Sequence, residues 1–202
     1  SPCVTGTTEV SAAEASSGSS GADAAARRWP AEWEHQAALW LAWPHAPETW
    51  SERLEAVEAT YAEMVRVLQG RTRLCIAIDD DARQDRARHS LRRCGVDPDD
   101  GIEFVALETD DAWLRDTGPI FVREGARRIA LDFRFDSWGG KYPPWDRDDR
   151  VAEQIAAHMG VVVERVDCVL EGGAVDGNGA GAVLTTESCL LHPNRGPGRT
   201  RP

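Results

Sequence analysis

The stretch DDAWLRDTGPIF at residues 110–121 gathers Asp110, Asp111 and Asp116 with an arginine and a tryptophan just ahead of a β-like run. Two readings of it stay open. Asp116 can be the ordinary acid of a turn, its carboxylate accepting hydrogen bonds from nearby backbone N–H groups. It can also be a carboxylate aimed at a cation, with Trp113 as a flat wall beside it. Glu171, followed by Gly172 and Gly173, poses the same choice, because paired glycines either make a tight bend or let the backbone approach a ligand closely. Together, two acidic loops suit a planar guanidinium: carboxylates accept its N–H donors in the plane, and an aromatic face accepts the cation from above. A metal site is the rival use of such acids, disfavoured because no histidine stands at ligand spacing from them.

Those loops need elements to aim them. Leu54, Val57, Tyr61, Met64, Val65 and Leu68 recur at helical spacing and predict a helix over residues 51–68, stopped by Gly70. A strand pattern follows at 74–78, then a charged helix over 81–93 closed by Gly95, then a short strand at 103–107. Residues 120–123 and 129–133 read as strands joined by the Glu124-Gly125 turn, 148–158 as a helix, and 161–166 as a strand. Val175 and residues 182–186 flank an Asp-Gly-Asn-Gly turn at 176–179. The class is therefore α/β with hairpins, mixed rather than purely parallel. Asp116-Thr117-Gly118 and Glu171-Gly172-Gly173 each lead into a strand, a Gly-bearing turn and a second strand, as a repeated ββαβ architecture around a central site would. Trp40 and Trp43 are expected in the core, and Trp138, ahead of Gly139-Gly140-Lys141, is expected to shape a loop in preference to binding substrate.

Composition narrows the partners. In 202 residues, 34 Asp+Glu against 23 Lys+Arg leave a net charge of −11, which repels phosphate backbones. No Lys/Arg stripe interleaves with aromatics, so the reading is of no nucleic-acid partner, and a small cation suits the chain better. The longest apolar run, residues 37–43, falls far short of the ~20 a membrane span needs. Five cysteines without C-x-x-C or Cys/His metal spacing argue for reduced thiols in a cytoplasmic setting. Residues 1–28, rich in Ser, Ala and Gly, read as a disordered tail ahead of a single ordered domain over 29–202.

Four blocks stand in order between Trp29 and Arg195: WPAEWEHQAALWLAWP, DDAWLRDTGPIFV, FRFDSWGGKYPPWDRDD and LEGGAVDGNGAGAVLTTESCLLHPNR. Together they resemble the agmatine deiminase branch of the bacterial-type peptidyl-arginine deiminase family. The resemblance implies a pentein fold, a five-bladed β/α propeller of ββαβ units, of which this chain would supply about three blades and leave open strand edges. It also implies hydrolysis of agmatine to N-carbamoylputrescine and ammonia, a step of putrescine and polyamine synthesis, without metal or organic cofactor. In such a reaction a cysteine thiolate attacks the guanidinium carbon, a histidine helps expel ammonia, and water releases the ureido product.

Carried over by motif position, Asp116 would hydrogen-bond the substrate guanidinium, Trp113 would line the pocket, and Glu171 would orient the catalytic histidine and balance the cation. Arg115 would lend support from outside the pocket. A peptidyl-arginine deiminase would use the same core on protein-bound arginine. The family's His-x-Asp pair and nucleophilic cysteine would follow the last block, and none of the five cysteines here occupies that motif. Residues 1–202 are thus expected to be inactive alone, with a truncated, non-catalytic remnant as the competing expectation and a homo-oligomer as the expectation for a full-length form. His192 stands where the family has Asn, and His35 lies one place from the family's usual histidine, so neither is assigned a role.

Overall fold

The computed structural model describes residues 26–195. The expected tail up to residue 25, with Cys3, lies outside the described residues. Arg27–Arg28 already forms strand β1, inside what the sequence reading assigns to the tail.

A parallel sheet comes first. Strands β2 (Leu39–Ala42), β3 (Leu74–Ala77) and β4 (Ile102–Val105) lie in that order, parallel throughout. The short α1 (Pro47–Trp50) and the long α2 (Leu54–Leu68) connect β2 to β3, and α3 (Asp81–Arg93) connects β3 to β4. Every residue of β3, Leu-Cys-Ile-Ala, is buried, as a central parallel strand covered on both faces requires. Successive side chains point to opposite faces. Leu74 and Ile76 pack with Trp43, Ala62, Val65, Ala87 and Leu91 under α2 and α3. Cys75 and Ala77 pack on the other side with Val105, Leu114, Val151 and Ile155. Trp43 is in the core as expected, while Trp40 lies at its margin, edge-on to His158 at 5.4 Å.

The second sheet carries the first acidic loop. Helical turn α4 (Leu114–Thr117) feeds β5 (Ile120–Glu124) and β6 (Arg127–Arg134), an antiparallel hairpin about Gly125 at φ 60°. The chain then passes α5 (Ser137–Gly140) and α6 (Val151–His158) and returns as β7 (Val162–Val169), parallel to β6. The sheet order is β1-β5-β6-β7, so β5, β6, α6 and β7 make one ββαβ unit. Among the described residues, mixed strand direction within a sheet is confined to this one. Helix α6 packs on β6 and β7, and its Val151 and Ile155 also enter the core behind the parallel sheet. One helix therefore ties both sheets together. A further hairpin, β8 (Val175–Gly177) and β9 (Val183–Thr185), precedes α7 (Glu187–Leu190).

Candidate functional site

Asp116 rides on α4, whose Leu114 and Thr117 are buried while Arg115 faces solvent. The turn is closed by the N–H of Thr117 and of Gly118, which donate to Trp113 O at 3.1 Å and Leu114 O at 2.9 Å. Since Leu114 is anchored in the core beside Val151 and Ile155, the position of Asp116 is set by helix α6.

Glu171 immediately precedes a 3-10 turn, Gly172–Ala174, and this turn meets α4. The Gly173 N–H donates to Asp116 Oδ1 at 3.0 Å, across a separation of 57 residues. Both glycines are needed for that approach. A Cβ on Gly173 would sit 2.1 Å from Asp116 Oδ1, and one on Gly172 would sit 2.3 Å from the backbone oxygen of Arg115. Asp116 thus makes the backbone hydrogen bond that a turn reading expects, but with the second acidic loop instead of its own.

Burial pushes the Asp116 carboxyl above the usual carboxylate range. The Gly173 N–H pulls it back, the charge of Glu171 pushes it further up, and the Trp138 indole N–H and Arg115 lower it. A half-buried carboxylate so short of positive charge gains from a cationic guest. Glu171 itself is deeply buried: its Oε2 accepts from Arg195 Nη2 at 2.5 Å, with side-chain exposures of 3% and 19%. Among the described residues its Oε1 has no hydrogen-bond partner, and neither has the Nε of Arg195. The structure thus brings Asp116 and Glu171 into one neighbourhood, with Asp116 at the surface of it and Glu171 beneath.

Trp113 is 39% exposed. Its ring lies 5.6 Å from that of Trp50, tilted by 31°, and 6.2 Å from Trp138 in an edge-to-face contact. Trp138 continues the cluster to Phe135 at 5.2 Å and Tyr142 at 6.0 Å. The loop-shaping role expected of Trp138 omits its contact with Asp116 and its place beside Trp113. Its backbone, with that of Ser137, is left-handed at φ 57° and 55°, costly for a bulky side chain. Asp136, accepting from the Gly139 N–H at 2.8 Å, and the Ser137 hydroxyl, donating to Tyr142 O at 3.0 Å, hold that loop. Trp50 and Arg195 are the site neighbours that sequence reasoning did not single out, because each meets its site partner at long range.

Arg115 pairs with Glu32 and reaches Val175 O at 3.4 Å. Among the described residues, no histidine hydrogen-bonds or ion-pairs with Asp116 or Glu171: His35 is exposed, and His192 Nδ1 accepts from the Asn194 N–H at 3.2 Å. Cys75 is buried, and burial pushes its thiol up, which suits a packed residue and not a nucleophile. No group of three or more His, Cys, Asp or Glu able to hold a metal occurs among the described residues, and no helix there is long and apolar enough to cross a membrane.

Residues 28–202 match the Porphyromonas-type peptidyl-arginine deiminase family. An agmatine deiminase of Ectopseudomonas mendocina (strain ymp) is 36% identical over 178 residues, covering 85% of this chain and 46% of that protein. The solved agmatine deiminase of Enterococcus faecalis superposes with a TM-score of 0.78 at 32% identity, over 87% of this chain and 47% of that one. A C. jejuni agmatine deiminase solved with substrate bound gives 0.73 at 31% identity, over 84% of this chain and 48% of that one. The chain spans about half the length of the relatives it matches.

Proposed function

Since this chain belongs to the Porphyromonas-type peptidyl-arginine deiminase family, we propose that it carries the guanidinium-gripping part of an agmatine deiminase. Agmatine and water would give N-carbamoylputrescine and ammonia. The observation that carries this reading is the junction of the two acidic turns, with Asp116 Oδ1 on the Gly173 N–H and a half-exposed Trp113 ring one turn away.

In this reading Asp116 accepts the in-plane N–H donors of the guanidinium, and Trp113 faces the cation. Glu171, with one buried oxygen on Arg195 and the other without a partner among the described residues, balances the charge and orients the histidine that helps expel ammonia. A thiolate attacks the guanidinium carbon and the C–N bond breaks, releasing ammonia and leaving an amidino-thioether. Water then adds at that carbon, the C–S bond breaks, and the thiol is restored with a ureido product. In this reading the attacking thiol is none of Cys3, Cys75, Cys94, Cys168 and Cys189, because none stands in the motif that the resemblance gives the nucleophile. The fold is read as a pentein propeller, supported by the ββαβ unit of β5, β6, α6 and β7 and by a second acid-Gly turn leading into β8 and β9.

The family's own description favours a second reading, peptidyl-arginine deimination. Agmatine and an arginine-containing peptide, tested side by side for binding, separate the two. Agmatine is expected to bind, and Asp116→Ala to abolish binding while the circular dichroism of the fold persists. Undiminished binding by that variant would remove Asp116 from the site. Ammonia release by residues 1–202 alone would contradict the exclusion of their cysteines.

A further inference from the structure

Asp110 and Asp148 hold each other's backbone. Asp148 Oδ1 accepts from the N–H of Asp110 at 2.9 Å and of Asp111 at 3.4 Å. Asp110 Oδ2 accepts in turn from the N–H of Arg147 at 2.9 Å and of Asp148 at 3.4 Å. This clasp joins the 110–113 loop to the 3-10 turn Asp148–Arg150 that opens α6. The loop it holds is the one that carries Trp113. Asp111 Oδ1 accepts from the Ala112 N–H at 2.8 Å, and Asp111 Oδ2 accepts from Trp113 Nε1 at 2.9 Å and from the Thr49 hydroxyl. A single residue, Asp111, therefore separates the clasp from the Trp113 ring.

We propose that Asp148 is a positioning residue for Trp113, holding the 110–113 loop against the head of α6 so that the indole, fixed by Asp111, keeps its place one turn ahead of Asp116. This rests on the reading of Asp116 and Trp113 as the guanidinium site and adds what keeps the indole in place. Asp148 is buried, at 4% exposure.

Asp148 faces Asp110 and Asp111 from the loop, and no described cation pairs with it. On neighbouring α4, Arg115 is engaged by Glu32 and Asp116 by Gly173. On its own turn, Arg147 points to Asp79 and Glu108, Asp149 pairs with Arg165, and Arg150 reaches Asp146 O at 3.2 Å. Burial raises the Asp148 carboxyl to about 7, the Asp110 and Asp111 N–H groups oppose the rise, and the carboxylates of the same two residues add to it. The clasp accordingly changes charge in the neutral range.

The test is nitrogen-15 NMR of the chain across neutral pH. The Trp113 indole N–H and the Asp110 and Asp111 amides are expected to titrate together with a midpoint near that of Asp148. In Asp148→Asn, which keeps the accepting oxygen but not the charge, the common titration should vanish while both amides stay protected. In Asp148→Ala, those amides should exchange about tenfold faster and the indole resonance should shift. If the alanine variant does not fold, the parent titration and the asparagine variant decide. A Trp113 indole indifferent to the titration, or titrating unchanged in Asp148→Asn, overturns the proposal. Agmatine added to the same samples separates the two claims. An indole moved by agmatine but not by Asp148 refutes the positioning role, whereas one moved by Asp148 but not by agmatine supports the clasp and fails the substrate reading.

Discussion

At the scale of single residues, the contact of Gly173 with Asp116 leaves no room for a side chain. Gly173→Ala should displace the carboxylate and weaken agmatine binding. Gly172→Ala meets a backbone oxygen, which cannot swing aside, so its cost should fall on folding, at about 1–3 kcal/mol in denaturant titration. Arg195→Ala would leave the buried Glu171 carboxylate without its ionic partner. Loss of about 3 kcal/mol is expected, and Arg195→Lys should recover part of it. Asp148 gives a pH signature of its own. Its folded-state value, about 7, lies above the ordinary 3.8, so the folded chain holds a proton that the unfolded chain sheds between those values. Its contribution to stability is complete in acid and is lost as pH rises through about 7. Asp148→Asn should flatten that slope, so that thermal melts of the two proteins diverge in favour of the variant above neutral pH.

Elements divide into those whose limits are local and those whose partners are remote. Helix α3 was legible at both ends because Asp80 caps it, accepting from the Arg83 N–H at 2.8 Å, and Gly95 ends it at φ 76°. Asp80→Ala should lower stability by about 1 kcal/mol without touching the site, as chemical denaturation would register. The β5–β6 hairpin and α6 were equally readable from a Gly-bearing turn and an apolar stripe. Asp116, Glu171 and Trp113 could be picked out because acids beside glycines and an exposed-type aromatic are unusual ahead of a strand. Their partners could not. The Asp116–Gly173 bond joins separate supersecondary units, Trp138 reaches Asp116 only through a left-handed backbone, and Arg195 meets Glu171 through a turn that packs Asn194 O against Gly139. No local pattern encodes such meetings; they follow from how α6 seats the two sheets.

Taken whole, the described residues form two sheets bridged by α6, with the site where α4 and the Glu171 turn meet. Val162, Val183 and Leu184 stand 55%, 57% and 74% exposed on β7 and β9, so those strands offer uncovered apolar surface. The chain spans about half the length of its relatives, and what it contributes on the present account is recognition of the guanidinium. Calorimetric titration with agmatine, set against 1,4-diaminobutane, which has the same carbon chain and no guanidino group, tests this most directly. Agmatine should bind much the more tightly. Its affinity should fall, as pH drops, at a higher pH than an ordinary carboxylate would give, because burial raises Asp116, and Asp116→Asn should lose the preference. Equal binding of the two amines, or an agmatine preference untouched by Asp116→Asn, would contradict it.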